Sequence, residues 1–143
     1  MTSLRLKNNY IAKLIRNDIR QNFKKYIDKK YFVLDLIEVS AKCMKYYHNN
    51  IINIYDNKKN KHIILDQNKK LENFNIACQA GSNLLKTNIH NVFIICDIIN
   101  QIGYNNKDRK FHMPSLNMIY KFTKIFLKED FLNKISKKGV ENK

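Results

Sequence analysis

The side chains able to do chemistry in this 143-residue chain are scattered, not gathered. Four histidines, His48, His62, His90 and His112, stand fourteen or more residues apart and have no Cys or acidic neighbour at metal-ligand spacing. Tetrahedral zinc ligation would need such ligands to converge, so no metal site is expected. Cys43, Cys78 and Cys96 are odd in number and far apart, and each falls inside an apolar helical pattern. They read as core thiols of a reducing compartment, with Cys96 a packing residue and not a nucleophile. Asp35, Glu38, Asp97, Glu129 and Asp130 suit helix caps or surface partners for lysine better than a general acid and base. Gly81, Gly103 and Gly139 stand alone, which excludes a glycine-rich phosphate loop, and no serine occupies a nucleophile elbow. The expectation is a binding protein, with no enzymatic activity and no cofactor.

The elements that would carry these residues are helical. Only three Gly and one Pro occur, far too few turn formers for a β-sandwich of this length. Tyr10, Ile11, Leu14, Ile15, Ile19, Phe23 and Ile27 recur at helical spacing and predict a first amphipathic helix. A charged run follows, in which Asp28 is placed to cap a second helix over about 31–47 with Leu34, Ile37, Ala41 and Met44 inward. Ile51, Ile52, Ile54 and Tyr55 read as a short apolar turn, and Asp56 to His62 as an exposed loop. Ile63 to Leu65 fit either a β-like tripeptide or the lead-in to a helix capped by Asp66. That helix, about 67–80, would bury Leu71, Phe74, Ala77 and Cys78 and end at Gly81.

Thr87 or Asn88 can cap the next helix, centred on Val92 to Ile102. Ile89, Val92, Phe93, Ile94, Ile95, Cys96, Ile98, Ile99 and Ile102 cover almost its whole circumference, so it is expected to be enclosed by other helices and to stop at Gly103. Pro114 suits the first position of a following helix, with Leu116, Ile119, Tyr120, Thr123, Phe126 and Leu127 inward. Asp130 can cap a last short helix holding Phe131, Leu132 and Ile135. The expected architecture is all-α: six to eight helices around one central hydrophobic helix, with residues 1–136 forming one domain and 137–143 a polar tail. No apolar block follows Met1 and no stretch is long enough to span a bilayer, so the chain as given reads as soluble.

A net charge of +15 points first to nucleic acid or an anionic membrane. The charge comes from 23 Lys and only 4 Arg, beside 21 Asn and 20 Ile, the excesses that an A- and T-rich genome produces. Lys is also spread over every segment, whereas a phosphate-binding face would cluster its charge and favour Arg. A basic nucleic-acid binder therefore stays an alternative, and nucleic acid is not the expected partner. A helical chain without catalytic groups most often binds by offering a groove to a partner's amphipathic helix. Met44, Tyr46, Tyr47, Ile51, Tyr55 and Phe74 supply more large apolar surface than short helices need, although each alone is ordinary core material.

Three segments carry a resemblance: VLDLIEVSAKCMKYYHNNIINIYDNKK (Val33 to Lys59), FNIACQAGSNLLKTNIHNVFIICDIINQIG (Phe74 to Gly103) and MIYKFTKIFLKEDFLNKI (Met118 to Ile135). In hydrophobic pattern and spacing the chain resembles the Bcl-2-like proteins of poxviruses, in which helices enclose a central apolar helix and several of them form a groove. The Asn-Trp-Gly-Arg signature of cellular relatives is missing. The resemblance implies inhibition of host apoptosis by capture of the BH3 helices of pro-death proteins. It implies groove walls from Met44, Tyr47, Ile51, Tyr55, Phe74, Cys78 and Phe93, with Lys86 or His90 meeting a ligand Asp where the family usually has Arg. It also implies a location on the cytoplasmic side of the host cell, or at the mitochondrial outer membrane through a C-terminal anchor that this chain does not show. Homodimerisation is open. A relative acting instead as an antagonist of innate immune (NF-kB) signalling is the alternative within the same resemblance.

Overall fold

The computed structural model describes residues 2–27, 33–105 and 107–127, with side chains from Asn9 onward. Five α-helices dominate: α1 (Thr2–Phe23), α2 (Val33–His48), α3 (Lys70–Leu85), α4 (Ile89–Gly103) and α5 (Leu116–Phe126). Two short antiparallel hairpins interrupt them, β1 (Asn53–Asp56) with β2 (Lys61–Ile64), and β3 (Tyr104–Asn105) with β4 (Lys110–Phe111). The chain is thus mostly helical at the coarse level expected, with fewer helices among the described residues than six and with strands that the all-α expectation omitted. The Asp28 cap and the final helix at Phe131 to Ile135 lie outside the described residues.

The first helix buries Leu14, Ile15, Ile19 and Phe23, a stripe at three- to four-residue spacing, and packs it on α3 and β1. Its exit turn stacks Tyr26 on Phe23, ring centroids 6.1 Å apart. α2 is the most enclosed element: nine of its 16 residues are buried, and it packs against α3, α4 and α5. Asp18 of α1 is tied to it by the Tyr46 hydroxyl and by Lys42 Nζ at 3.4 Å. Leu34, expected to face inward, is exposed at the start of α2.

The first hairpin follows from an alternation within the predicted turn. Ile52, Ile54 and Asp56 point inward while Ile51, Asn53 and Tyr55 point out, the period of two that a half-buried strand requires. Asp56 closes the turn by accepting from the backbone N–H of Lys58 at 2.9 Å, and Asn60 takes the left-handed conformation that the connection needs. Ile54 pairs with Ile63 across the ladder, which places Ile63 and Ile64 in a strand, with Leu65 buried just after it.

Asp66 caps a short 3₁₀ turn ahead of α3 by accepting from Asn68 N–H at 2.9 Å. Leu71, expected in the core, is exposed. Gly81 does not end α3. It lies inside the helix where a Cβ would sit 2.4 Å from Val39 Cγ1, so its role is to let α2 and α3 approach. The helix runs one further turn and ends at Lys86, left-handed at φ 57°, with Thr87 N–H returning to Ser82 O at 3.0 Å and Lys86 N–H to Asn83 O at 3.2 Å. This is the paired bonding of a Schellman end, with Lys where Gly is usual.

Asn88 caps α4, accepting from His90 N–H at 2.9 Å. Val92, Ile95, Cys96, Ile98 and Ile99 are buried, but His90, Asp97, Asn100 and Gln101 face solvent. α4 is therefore not enclosed on all sides, and α2 is the more central helix. Gly103 closes α4 as expected, with no room for a Cβ: Phe111 Cε1 would be 2.5 Å away and His112 O 2.8 Å. Ser115, and not Met113 as Pro114 at the first helical position would require, caps α5 by accepting from Met118 N–H at 3.2 Å. Pro114 precedes the cap. α5 buries Ile119 and Thr123, while Leu116 and Phe126, expected inward, are exposed.

Candidate functional site

Four of the residues expected to wall a groove come together. Met44 and Tyr47, one turn apart near the end of α2, face Phe74 near the start of α3 and Phe93 in α4. Phe93, Cys96, Asp97 and Asn100 follow the i, i+3, i+4, i+7 spacing that places them on one helix face. Together these seven residues line an open cleft of about 300 Å³. Met44 and Cys96 are buried, whereas Tyr47, Phe74 and Phe93 are half-buried and offer their rings to it.

The rings form a continuous chain along the cleft. His90 meets Phe93 edge-on at 6.3 Å, Phe93 meets Phe74 at 6.3 Å, and Phe74 meets Tyr47 edge-on at 5.7 Å. Tyr47 meets His48 at 5.0 Å, and His48 stacks flat on Phe111 of the second hairpin at 3.8 Å. Ring pairs at these separations attract one another beyond the apolar area they bury. Its rim is polar: Lys70 Nζ lies 5.0 Å over the Tyr47 ring, Asp97 and Asn100 stand on α4, and His48 Nε2 contacts Asn100 Oδ1 at 3.1 Å. Burial holds the His48 imidazole below its ordinary value; the Asn100 contact opposes that shift and Lys70 adds to it.

The remaining expected residues lie elsewhere. Ile51 is exposed, 66%, on the link before β1. Tyr55 is on the outer face of the hairpin, its ring 5.3 Å from His62, and lines a separate polar cavity with Tyr10, Asp18 and Asp56. Cys78 is fully buried in the core. Lys86 sits exposed at the end of α3, and His90 is exposed in the first turn of α4 at one end of the ring chain. Asp97, Asn100, Lys70 and His48 belong to the cleft or its rim although hydrophobic pattern did not single them out, and Cys96, expected as a packing residue, lies in its wall. The α4 members were legible from their spacing with Phe93.

Among the described residues no group of three or more His, Cys, Asp or Glu is arranged to hold a metal ion. No described helix is long and apolar enough to cross a membrane. The cleft can desolvate a large apolar side chain against Met44 and the rings, with hydrogen-bonding groups at its edge. No family model, curated protein or solved structure gives a significant match to the chain.

Proposed function

We propose that the cleft between α2, α3 and α4 receives an amphipathic helix of a partner protein. The observation that carries this reading is the ring chain from His90 through Phe93, Phe74 and Tyr47 to His48, partly exposed and with no element among the described residues laid over it. Interface hot spots are built from such aromatic anchors around a desolvated pocket with a polar rim. A cleft of about 300 Å³ is the size for one large apolar side chain at depth. Further apolar residues of the partner helix, one or two turns on, would lie along the ring chain.

The partner class is given by the resemblance to poxviral Bcl-2-like proteins: BH3 helices of host pro-death proteins, whose capture would inhibit apoptosis. In that reading the fold is a Bcl-2-like bundle in which the hairpin β1–β2 takes the place of a helix between α2 and α3. The acidic residue of the ligand would approach the capped start of α4, where His90 and Lys86 stand and where the helix dipole favours negative charge.

The test is fluorescence anisotropy with a panel of labelled BH3 peptides at two salt concentrations. At least one peptide should bind with submicromolar affinity, little changed by salt, and Phe93→Glu should weaken it by tenfold or more, since a buried aromatic anchor is worth at least about 2 kcal/mol. Retained binding in Phe93→Glu, or no binding by any peptide, contradicts the reading. Affinity for heparin or DNA that falls steeply with salt would favour a nucleic-acid partner instead.

A further inference from the structure

Helix α5 carries apolar side chains on two sides. Ile119 and Thr123, one turn apart, face the core and are fully buried. Met118, Phe122 and Ile125 recur at i, i+4 and i+7 on a different side, where Met118 and Ile125 are exposed and Phe122 is half-buried. Phe126 flanks this second stripe, 50% exposed, with its ring 5.6 Å from that of Phe122. A helix resting on a globular core needs one apolar stripe, and the second is left to solvent among the described residues.

This exposure is concentrated. Ten large hydrophobic side chains are exposed among the described residues, and five of them, Tyr104, Leu116, Met118, Ile125 and Phe126, fall within one short stretch of chain. The fold joins that stretch into one surface, because Tyr104 and Lys107 of the second hairpin and Met118 of α5 border the same depression of about 610 Å³. The surface is also basic. Lys107, Arg109, Lys110, Lys121 and Lys124 are all exposed, and the one acid between residues 104 and 127, Asp108, is engaged by His112 at 3.0 Å. Lysine is common all along the chain, so charge alone would not single out this face; its coincidence with the exposed apolar stripe does.

We propose that α5 and the second hairpin form a surface that docks on an anionic lipid bilayer. In this contact α5 lies in the plane of the interface, Met118, Phe122, Ile125 and Phe126 enter the boundary between headgroups and acyl chains, and Lys121 and Lys124 meet the anionic headgroups. The complementarity of charge decides the occupant. A second copy would set one +15 chain against another, basic border against basic border. A protein hot spot needs apolar anchors gathered about a pocket, whereas these are strung along the outside of a helix and onto a hairpin. A bilayer takes Phe, Ile and Met side chains without a shaped pocket and supplies negative charge on every side of them. The contact is peripheral, since no described helix is long and apolar enough to cross a membrane. None of the residues of this surface lines the cleft between α2, α3 and α4, so the docking and the partner-helix reading fail separately.

The experiment sediments the full chain with phosphatidylcholine vesicles made with and without phosphatidylserine. The chain should sediment with the phosphatidylserine vesicles, less so as salt is raised, and bind the neutral vesicles about tenfold or more weakly. Ile125→Ser combined with Phe126→Ser leaves the charge unchanged at two exposed positions and should lower the partition coefficient by about tenfold or more. The chain contains no Trp, so Ile125→Trp places a single reporter in the stripe. Its emission should shift to the blue on anionic vesicles and be quenched by brominated lipid, whereas Ile64→Trp on the first hairpin, which packs on α1, should keep its solution spectrum. No sedimentation of the unsubstituted chain, equal binding to neutral vesicles, binding unchanged by the paired substitution, or equal quenching at both reporter positions overturns the proposal. A concentration-dependent dimer that leaves vesicles unbound overturns it in favour of a second copy. Should the paired variant fail to fold, the unsubstituted chain and the two reporters decide on their own.

Discussion

At the scale of single residues, His48 does more than its hydrophobic context announces. It joins the end of α2 to the second hairpin by stacking on Phe111 and to α4 through Asn100. Burial lowers its folded proton affinity while the unfolded ring keeps an ordinary value near about 6.5. The unfolded state then binds more protons across that window, so stability is full above it and falls as the pH drops through it. Urea midpoints between about pH 8 and pH 5 should decline for the native chain and decline less for His48→Gln. Parallel curves would show that His48 carries none of the linkage. Lys86 gives a second prediction. A left-handed residue with a Cβ costs roughly 1 kcal/mol, so Lys86→Gly should raise stability by about that amount in chemical denaturation. A loss of stability would mean that the Lys86 side chain contributes more than its backbone costs.

At the scale of elements, the contact between α2 and α3 depends on Gly81. A methyl group there meets Val39 at 2.4 Å, and overpacking of that kind costs about 1–3 kcal/mol even after the gain in helix propensity. Gly81→Ala should therefore destabilise, and adding Val39→Ala should recover part of the loss, a coupling that a double-mutant cycle reads directly. Additive costs would contradict the close approach. The same glycine marks what could not be read from pattern. Gly after an apolar run signals a helix end in general, and only the neighbouring helix distinguishes an end from a crossing point. α1, with one apolar stripe, and α4, apolar on three sides, were legible, as were the Asp66 and Asn88 caps. The hairpin β1–β2 was missed because its inward row is Ile52, Ile54 and Asp56, and a buried Asp in third place masks the alternation. The enclosure of α4 was overestimated because its apolar residues crowd three sides and the fourth, with His90, Asp97 and Gln101, is narrow.

At the scale of the whole molecule, the +15 charge and the cleft make different demands. A uniform excess of lysine keeps the chain soluble and accelerates encounter with acidic partners, but it does not select one. In the proposed partner-helix reading, selection would fall to the ring chain, its Met44 floor and the capped start of α4. Four of the nine residues expected to bind, Met44, Tyr47, Phe74 and Phe93, line that cleft, because each lies on a helix whose buried face was readable. Tyr55 falls on the hairpin that was not read and Ile51 on the link before it, and their separation from the cleft follows from that error.

The most direct test of the partner-helix account is amide chemical-shift mapping of the full chain titrated with a tight-binding BH3 peptide. The account predicts saturating shifts at Met44, Tyr47, Phe74, Phe93 and Asn100, with those at Tyr10, Tyr55 and Asp56 unmoved. Saturating shifts confined to the α1 and β1 face, or none anywhere in the cleft, would contradict it.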